Sequence, residues 1–261
     1  MKSIALSMLL FCFAPLMFGQ GLTEQQDDHA DHADHEEGFR TVDPHGNDVT
    51  VFVDPPSLTA VYEPHYDPNS PHFQGYDEVD EYERFPEGDE RMMRAVTVDV
   101  YIVADEEYRA RHSDWQSRCY QIVEAADNAY WRDFSINWVV RGYYSWNSNG
   151  NNASQILADL ARDAGGLPNG LVMGFSADSR FNAGGIAYVY NGNPGTGFSV
   201  CLDQGVSSTT YALRHEIGHN YGCFHDFDPV VCLMNYTYAY SIDYFDSAHD
   251  NLIQGRDNWF Q

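Results

Sequence analysis

Histidines at 215, 219 and 225, with Glu216 beside the first and Gly222 between the last two, constrain this chain more than any other feature. On a helix, His215 and His219 are four residues apart and project from one face. The hydroxyl run Ser207-Ser208-Thr209-Thr210 ahead of them offers caps for the start of that helix. Gly222 lets the backbone adopt a positive φ and leave the helix, so that His225 can swing back toward the other two. Three imidazoles arranged in this way can meet one ion at the Zn–N distance of about 2.0–2.1 Å. A set of three leaves a fourth position open, as a catalytic rather than a structural site requires. Glu216 sits beside the ion without being forced to bind it, and suits a general base acting on water there.

Charge narrows the class further. The net charge is -25, from 14 basic and 39 acidic residues, and Lys2 is the one lysine. Phosphate contacts need a basic surface, so nucleic-acid binding is excluded, and anionic membrane surfaces are no better a partner. With 43% hydrophobic and 15% aromatic residues the chain can still build a core.

The N-terminus reads as a secretory signal peptide over residues 1–20: Lys2, an apolar run from Ile4 to Phe18, then Gly19 and Gln20. That run is shorter than the roughly 18–20 residues needed to span a bilayer. A secreted, extracellular, monomeric product is expected. Removing the signal leaves Cys119, Cys201, Cys223 and Cys232, an even number that predicts disulfides. Cys223–Cys232 is favoured by proximity in sequence, with Cys119–Cys201 as the remainder.

Residues 21–94 form an acidic leader or propeptide. The stretch from Asp27 to Glu37 repeats His every third position, as a solvated tail or a metal-scavenging tract would. Prolines at 55, 56, 64, 68 and 71 disfavour long helices and a packed core. Arg91 and Arg94 offer trypsin-like cleavage points, so the chain has the layout of a zymogen; a permanent tail is the alternative.

Residues 95–261 form the globular domain. Strands are predicted at 95–103, 136–144, 171–175, 184–190 and 198–202 from their β-branched and aromatic content. One long amphipathic helix is predicted over 105–132, a second over 152–164, and helical spacing over 242–261. The order strand–helix–strand–helix–strand predicts a partly parallel sheet with helices packed on it, with the late strands antiparallel.

At His215-Glu216-Ile217-Gly218-His219-Asn220-Tyr221-Gly222-Cys223-Phe224-His225-Asp226 the chain resembles the metzincin clan of zinc endopeptidases, matching H-E-x-x-H-x-x-G-x-x-H without a gap. The resemblance implies an α+β zincin fold: a five-stranded mixed sheet with helices, an active-site helix and a small C-terminal lower domain. Cys232-Leu233-Met234-Asn235-Tyr236 resembles the clan's Met-turn, with Met234 as the floor under the ligand rings. Asp226 and the Cys-Leu-Met context are similar to adamalysins (reprolysins). Tyr236 is similar to the zinc-proximal tyrosine of astacins and serralysins. The implied activity is hydrolysis of peptide bonds in proteins or peptides. The resemblance likewise implies that Zn2+ is held by His215, His219 and His225, with Glu216 as general base and Tyr236 assisting at the oxyanion. The strand 184–190 resembles the sheet edge that pairs with substrate. The leader lacks a cysteine latch once the signal is removed. Phe85-Pro86-Glu87-Gly88-Asp89 is similar to the aspartate latch of astacin proregions, with altered spacing, which would make Asp89 a zinc cap; the leader histidines are a rival cap. The competing reading is an extracellular non-enzymatic zinc-binding or adhesion protein, in which Glu216 would have no task.

Overall fold

Val96–Ala104 (β3) alternates so regularly that each face of the strand belongs to a different core. Val98, Val100, Ile102 and Ala104 pack with one set of helices, whereas Tyr101 and Val103 pack on the other side. A strand buried on both faces must lie in the middle of a layered fold. The computed structural model describes residues 38–57 and 95–261. Strands Phe39–Val42 (β1), Asp48–Val51 (β2), β3, Ile136–Ser145 (β4), Gly170–Ser176 (β5), Gly185–Tyr190 (β6) and Thr196–Leu202 (β7) make one sheet in the order β1-β2-β6-β7-β5-β3-β4. The pairs β3–β4, β3–β5 and β5–β7 are parallel, and β6–β7, β2–β6 and β1–β2 are antiparallel. Residues 95–261 therefore supply a mixed sheet of five strands, and the antiparallel turn falls at β6 alone.

Helices cover both faces. Trp115–Phe134 (α2) and Val206–Asn220 (α4) share a core with β3, through Cys119, Ile122, Ala126 and Tyr130 on one helix and Ala212, Leu213 and Ile217 on the other. Ala153–Asp163 (α3) covers the opposite face with Ile156, Leu157 and Leu160. Asn152 caps α3 by accepting from the Gln155 N–H at 2.9 Å. Ser247–Gln254 (α5) closes the C-terminal part, with Ile253 in the α2–α4 core. Among the described residues, no helix is long and apolar enough to cross a membrane.

The single helix predicted over 105–132 is two. Glu106–Arg111 (α1) starts at the cap Asp105 and stops at His112, whose backbone is extended; α2 begins at Trp115. No glycine or proline marks the break. Its cause is distant: Asp203, just past β7, takes Arg111 Nη1 at 3.0 Å, His112 Nε2 at 2.8 Å and Arg118 Nη2 at 3.4 Å. Burial raises the Asp203 carboxyl, but these partners outweigh it and hold it well below the usual carboxylate range. Its ionised form thus contributes stability that is full above the unfolded-chain value near ~4 and is lost as pH falls through the depressed native value. Asp203→Ala strands the buried Arg118 guanidinium and is expected to cost about 3 kcal/mol at neutral pH. Denaturant unfolding at pH 7 and at pH 3 measures both the loss and its shrinkage in acid.

Part of the leader is folded into the sheet, contrary to the expectation that its prolines and acids leave it unpacked. Asp43 closes the β1–β2 hairpin by accepting from the N–H groups of His45 and Asn47 at 2.9 and 2.8 Å. Val49 and Val51 are buried in the α3-side core, and β2 adds to β6 with Val49 opposite Tyr190 and Val51 opposite Tyr188. Averaged composition hid a four-residue alternation. Residues 1–37 and 58–94 lie outside the described residues, and with them the signal peptide, the Asp27–Glu37 tract, Asp89 and the two arginines at 91 and 94.

The disulfide expectation is overturned. Cys119, Cys201, Cys223 and Cys232 are all buried free thiols. The Cys232 sulfur instead lies 3.3 Å from His249 Nδ1 and accepts from the N–H groups of Met234 and Asp246. Burial pushes its thiol up to about 12, which keeps it protonated.

Candidate metal and catalytic site

Helix α4 carries His215, Glu216 and His219 in its last turns, and all three are buried. The serine and threonine run does not cap its start: the cap position is Gly205, and Thr209 Oγ1 instead accepts from Gln204 N at 3.0 Å. At the other end Gly222, at φ +87°, reverses the chain, with its N–H bonded to His219 O and the Cys223 N–H to Gly218 O. That reversal delivers His225. Met234 lies directly beneath the helix, where a Cβ on Gly218 would come 2.7 Å from its sulfur. The Asp226 N–H bonds Met234 O, and its carboxylate meets His249 Nδ1 at 3.1 Å, tying the turn to α5.

The three imidazoles fit a tetrahedral cation. His215 Nδ1 faces Leu233 O at 2.9 Å and His219 Nδ1 faces Cys223 O at 2.7 Å. A carbonyl only accepts, so each Nδ1 carries the proton and each Nε2 turns a lone pair inward. His225 Nε2 lies 3.1 Å from His215 Nε2 and 3.0 Å from His219 Nε2. Ligands at the Zn–N distance in a tetrahedron are about 3.3 Å apart. Converging lone pairs repel unless a cation separates them. Burial holds the His219 ring below its ordinary value and His225 down to about 4, so both are neutral donors to a metal.

A fourth group completes the cluster, and it was not foreseen. Asp54, from the leader, places Oδ1 2.9 Å from His225 Nε2, and Oδ2 3.5 and 3.3 Å from the Nε2 atoms of His215 and His219. Asp54, His215, His219 and His225 form one group able to hold a metal ion. Neither expected cap, Asp89 or the His cluster of the Asp27–Glu37 tract, belongs to the described residues. The only local signal for Asp54 is its place just after the Val49–Val51 alternation and before Pro55-Pro56.

Glu216 is buried beside the cluster, and its Oε2 has no hydrogen-bond partner among the described residues. Burial, then the charge of Asp54, raises its carboxyl well above the ordinary value. Gly185, at the start of β6, makes the room: any Cβ there would collide with the Glu216 carboxylate. Tyr236 lies beside the cluster. Its ring centre is 4.3 Å from that of His225, and its hydroxyl donates to Asp54 Oδ1 at 2.6 Å. Three supporting residues escaped the sequence. Asn220 donates to the carbonyls of Tyr188 and Phe198 at 2.9 and 3.0 Å, anchoring α4 to β6 and β7. Gln204 and Tyr240 hold the segment that follows Asp54.

Residues 94–246, more than half of the chain, match the family model Reprolysin_5, metallo-peptidase family M12. The chain belongs to this metallopeptidase family. M12 metallopeptidases use zinc, and the peptidase family implies protein or peptide substrates. No curated protein matches this M12 metallopeptidase. One chain in the solved structure of a chaperone-substrate complex is similar, with a TM-score of 0.47 and 13% identity over 64% of this chain and 35% of that one. The M12 chain thus spans about a third of the length of that solved chain.

Proposed function

We propose that this M12 metallopeptidase is a secreted zinc endopeptidase of metzincin type, made with a leader that must leave the cleft before it acts. The observation that carries the reading is a buried carboxylate, Glu216, one residue after the first of three converging imidazoles. A site that only stores or is braced by zinc has no use for a buried acid beside it, whose burial is costly. His215, His219 and His225 would hold the ion. Zinc, when bound, polarises the scissile carbonyl and lowers the pKa of water beside it.

Glu216 then takes the water's proton and passes it to the leaving amine. Its raised proton affinity, set first by burial, suits both halves of that task. Tyr236 points its hydroxyl at the place Asp54 Oδ1 holds in this structure, so once that carboxylate withdraws it can donate to the developing oxyanion. The carbonyls of Leu233 and Cys223 keep the rings oriented. The signal peptide over 1–20, the 21–94 leader with cleavage at Arg91 or Arg94, and a monomeric 95–261 domain complete the reading.

The test uses an unfolded protein as substrate. It is offered to the full chain nicked with trypsin at Arg91 or Arg94 and, separately, to the full chain carrying Asp54→Ala. Both are expected to cut at many sites, to stop on treatment with a zinc chelator, and to recover when zinc is restored. Cleavage that persists in chelator, or no cleavage by either preparation with zinc bound, overturns the reading.

A further inference from the structure

The stretch from Tyr221 to Asp246 carries His225 and Met234, yet it contains neither helix nor strand. One bridge, between Asp226 and Asn235, is the regular pairing it has. Phe227, Val230 and Val231 are exposed, so this part of the turn gains little from burial. A loop of that length is uncommon in a packed domain unless something ties it down. A disulfide does not, because Cys223 and Cys232 are free thiols.

Four side chains from the two ends of this stretch and from α5 converge instead. His249 Nδ1 lies 3.1 Å from Asp226 Oδ2, 2.9 Å from Asp246 Oδ1 and 3.3 Å from the Cys232 sulfur. The sulfur lies 3.8 Å from Asp246 Oδ1. The four atoms stand within 4.8 Å of one another, as a group able to hold a metal ion. Neighbouring O, N and S ligands of a tetrahedral zinc are about 3.3–3.7 Å apart, so the cluster already has the right scale. Cys232 is fully buried and His249 nearly so.

Hydrogen bonds do not account for this convergence. A ring nitrogen carries at most one proton, and two carboxylate oxygens and a sulfur crowd this one. Asp226 Oδ2 is buried and has no hydrogen-bond partner of good geometry among the described residues. Leaving a carboxylate oxygen in that state is costly unless a cation shares it. The sulfur accepts from the N–H groups of Met234 and Asp246 at 3.4 and 3.3 Å. Such outer bonds orient and stabilise a thiolate that binds a metal. Asp246 caps α5 and His249 lies in its first turn, so one helix start supplies two of the four donors.

We propose that Asp226, Cys232, Asp246 and His249 bind a second zinc ion, which braces the turn carrying His225 and Met234. One thiolate and one imidazole favour zinc over calcium or magnesium, which take oxygen donors. Four protein donors leave no open position, as in a structural site. Asp226 directly follows His225, and Cys232 precedes Met234 by two residues, so one ion pins both ends of the turn. On binding, the Cys232 thiol gives its proton to solvent and the thiolate takes the ion. This second site is independent of whether the first hydrolyses peptides.

The experiment loads full chains with cobalt and, separately, with zinc: wild type, Cys232→Ser, His215→Ala/His219→Ala and the triple variant, each checked for native circular dichroism. A thiolate bound to cobalt gives a near-ultraviolet sulfur-to-metal charge-transfer band, and the three-histidine site has no sulfur to give one. The band is expected in wild type and in His215→Ala/His219→Ala, and is expected to vanish in Cys232→Ser, with one zinc ion fewer bound than in wild type. Zinc is expected to raise the melting temperature of His215→Ala/His219→Ala, and Cys232→Ser in that chain to abolish the rise. No band in wild type, a band that survives Cys232→Ser, or an unchanged zinc count overturns the site. A band without the rise in melting temperature overturns the brace. Should Cys232→Ser not fold, zinc-edge X-ray absorption of the zinc-loaded wild type decides: a sulfur neighbour at about 2.3 Å is expected, and a shell without sulfur overturns the site.

Discussion

Glu216→Gln is expected to retain stoichiometric zinc and to lose peptide hydrolysis by about 10³-fold, within the range of a missing general base. Gln matches Glu in shape, so the pocket opened by Gly185 still receives it. What disappears is the ability to accept the water's proton and carry it to the amine. Zinc stays because the ligand rings take their orientation from Leu233 O and Cys223 O, not from Glu216. The melting temperature is not expected to fall, since a buried ionisable group has been replaced by a neutral one. Metal analysis, calorimetric melting and kcat/KM, all on an Asp54→Ala background that clears the cleft, measure the three quantities together. A variant that cuts within tenfold of its parent would mean that another group moves the proton.

Gly222→Ala should do the opposite, sparing the base and breaking the metal site. The backbone there sits at φ +87°, where a side chain costs about 1–2 kcal/mol. A Cβ would lie 2.6 Å from Tyr190 O and collide with the Arg256 guanidinium, which donates to Tyr221 O. Together, strain and overpacking are expected to cost about 3 kcal/mol of stability. The turn from Gly222 to His225 would shift, and zinc affinity would drop by about 100-fold or more as the third ligand leaves its place. Chelator competition and denaturant unfolding of the metal-free chain measure the two effects. Parental zinc affinity in the variant would show that the reversal at Gly222 is not what positions His225.

What the chain disclosed in advance was local. The 215–225 spacing encodes a helix face, a reversal and a returning ligand, all within one contiguous stretch. β3, β4 and α3 were legible from period and caps, as in the Asn152 cap of α3. The misreadings share a cause in contacts far apart along the chain. Nothing near His112 announces a break, because Asp203 makes it. Nothing near Asp54 announces a metal-facing carboxylate, because β6 carries it there by pairing with β2. Cysteine parity likewise carries no information about the His249 ring that Cys232 meets.

The ring-orienting acceptors of His215 and His219 are main-chain carbonyls, and this bears on how such a site withstands mutational drift. A side-chain acceptor vanishes with one codon change, but a carbonyl is present whatever residue stands at 223 or 233. Substitutions of Cys223 or Leu233 that fit their packing leave the imidazoles aimed as before. The metal centre is inherited as a path of the backbone, and only changes that bend that path can erase it.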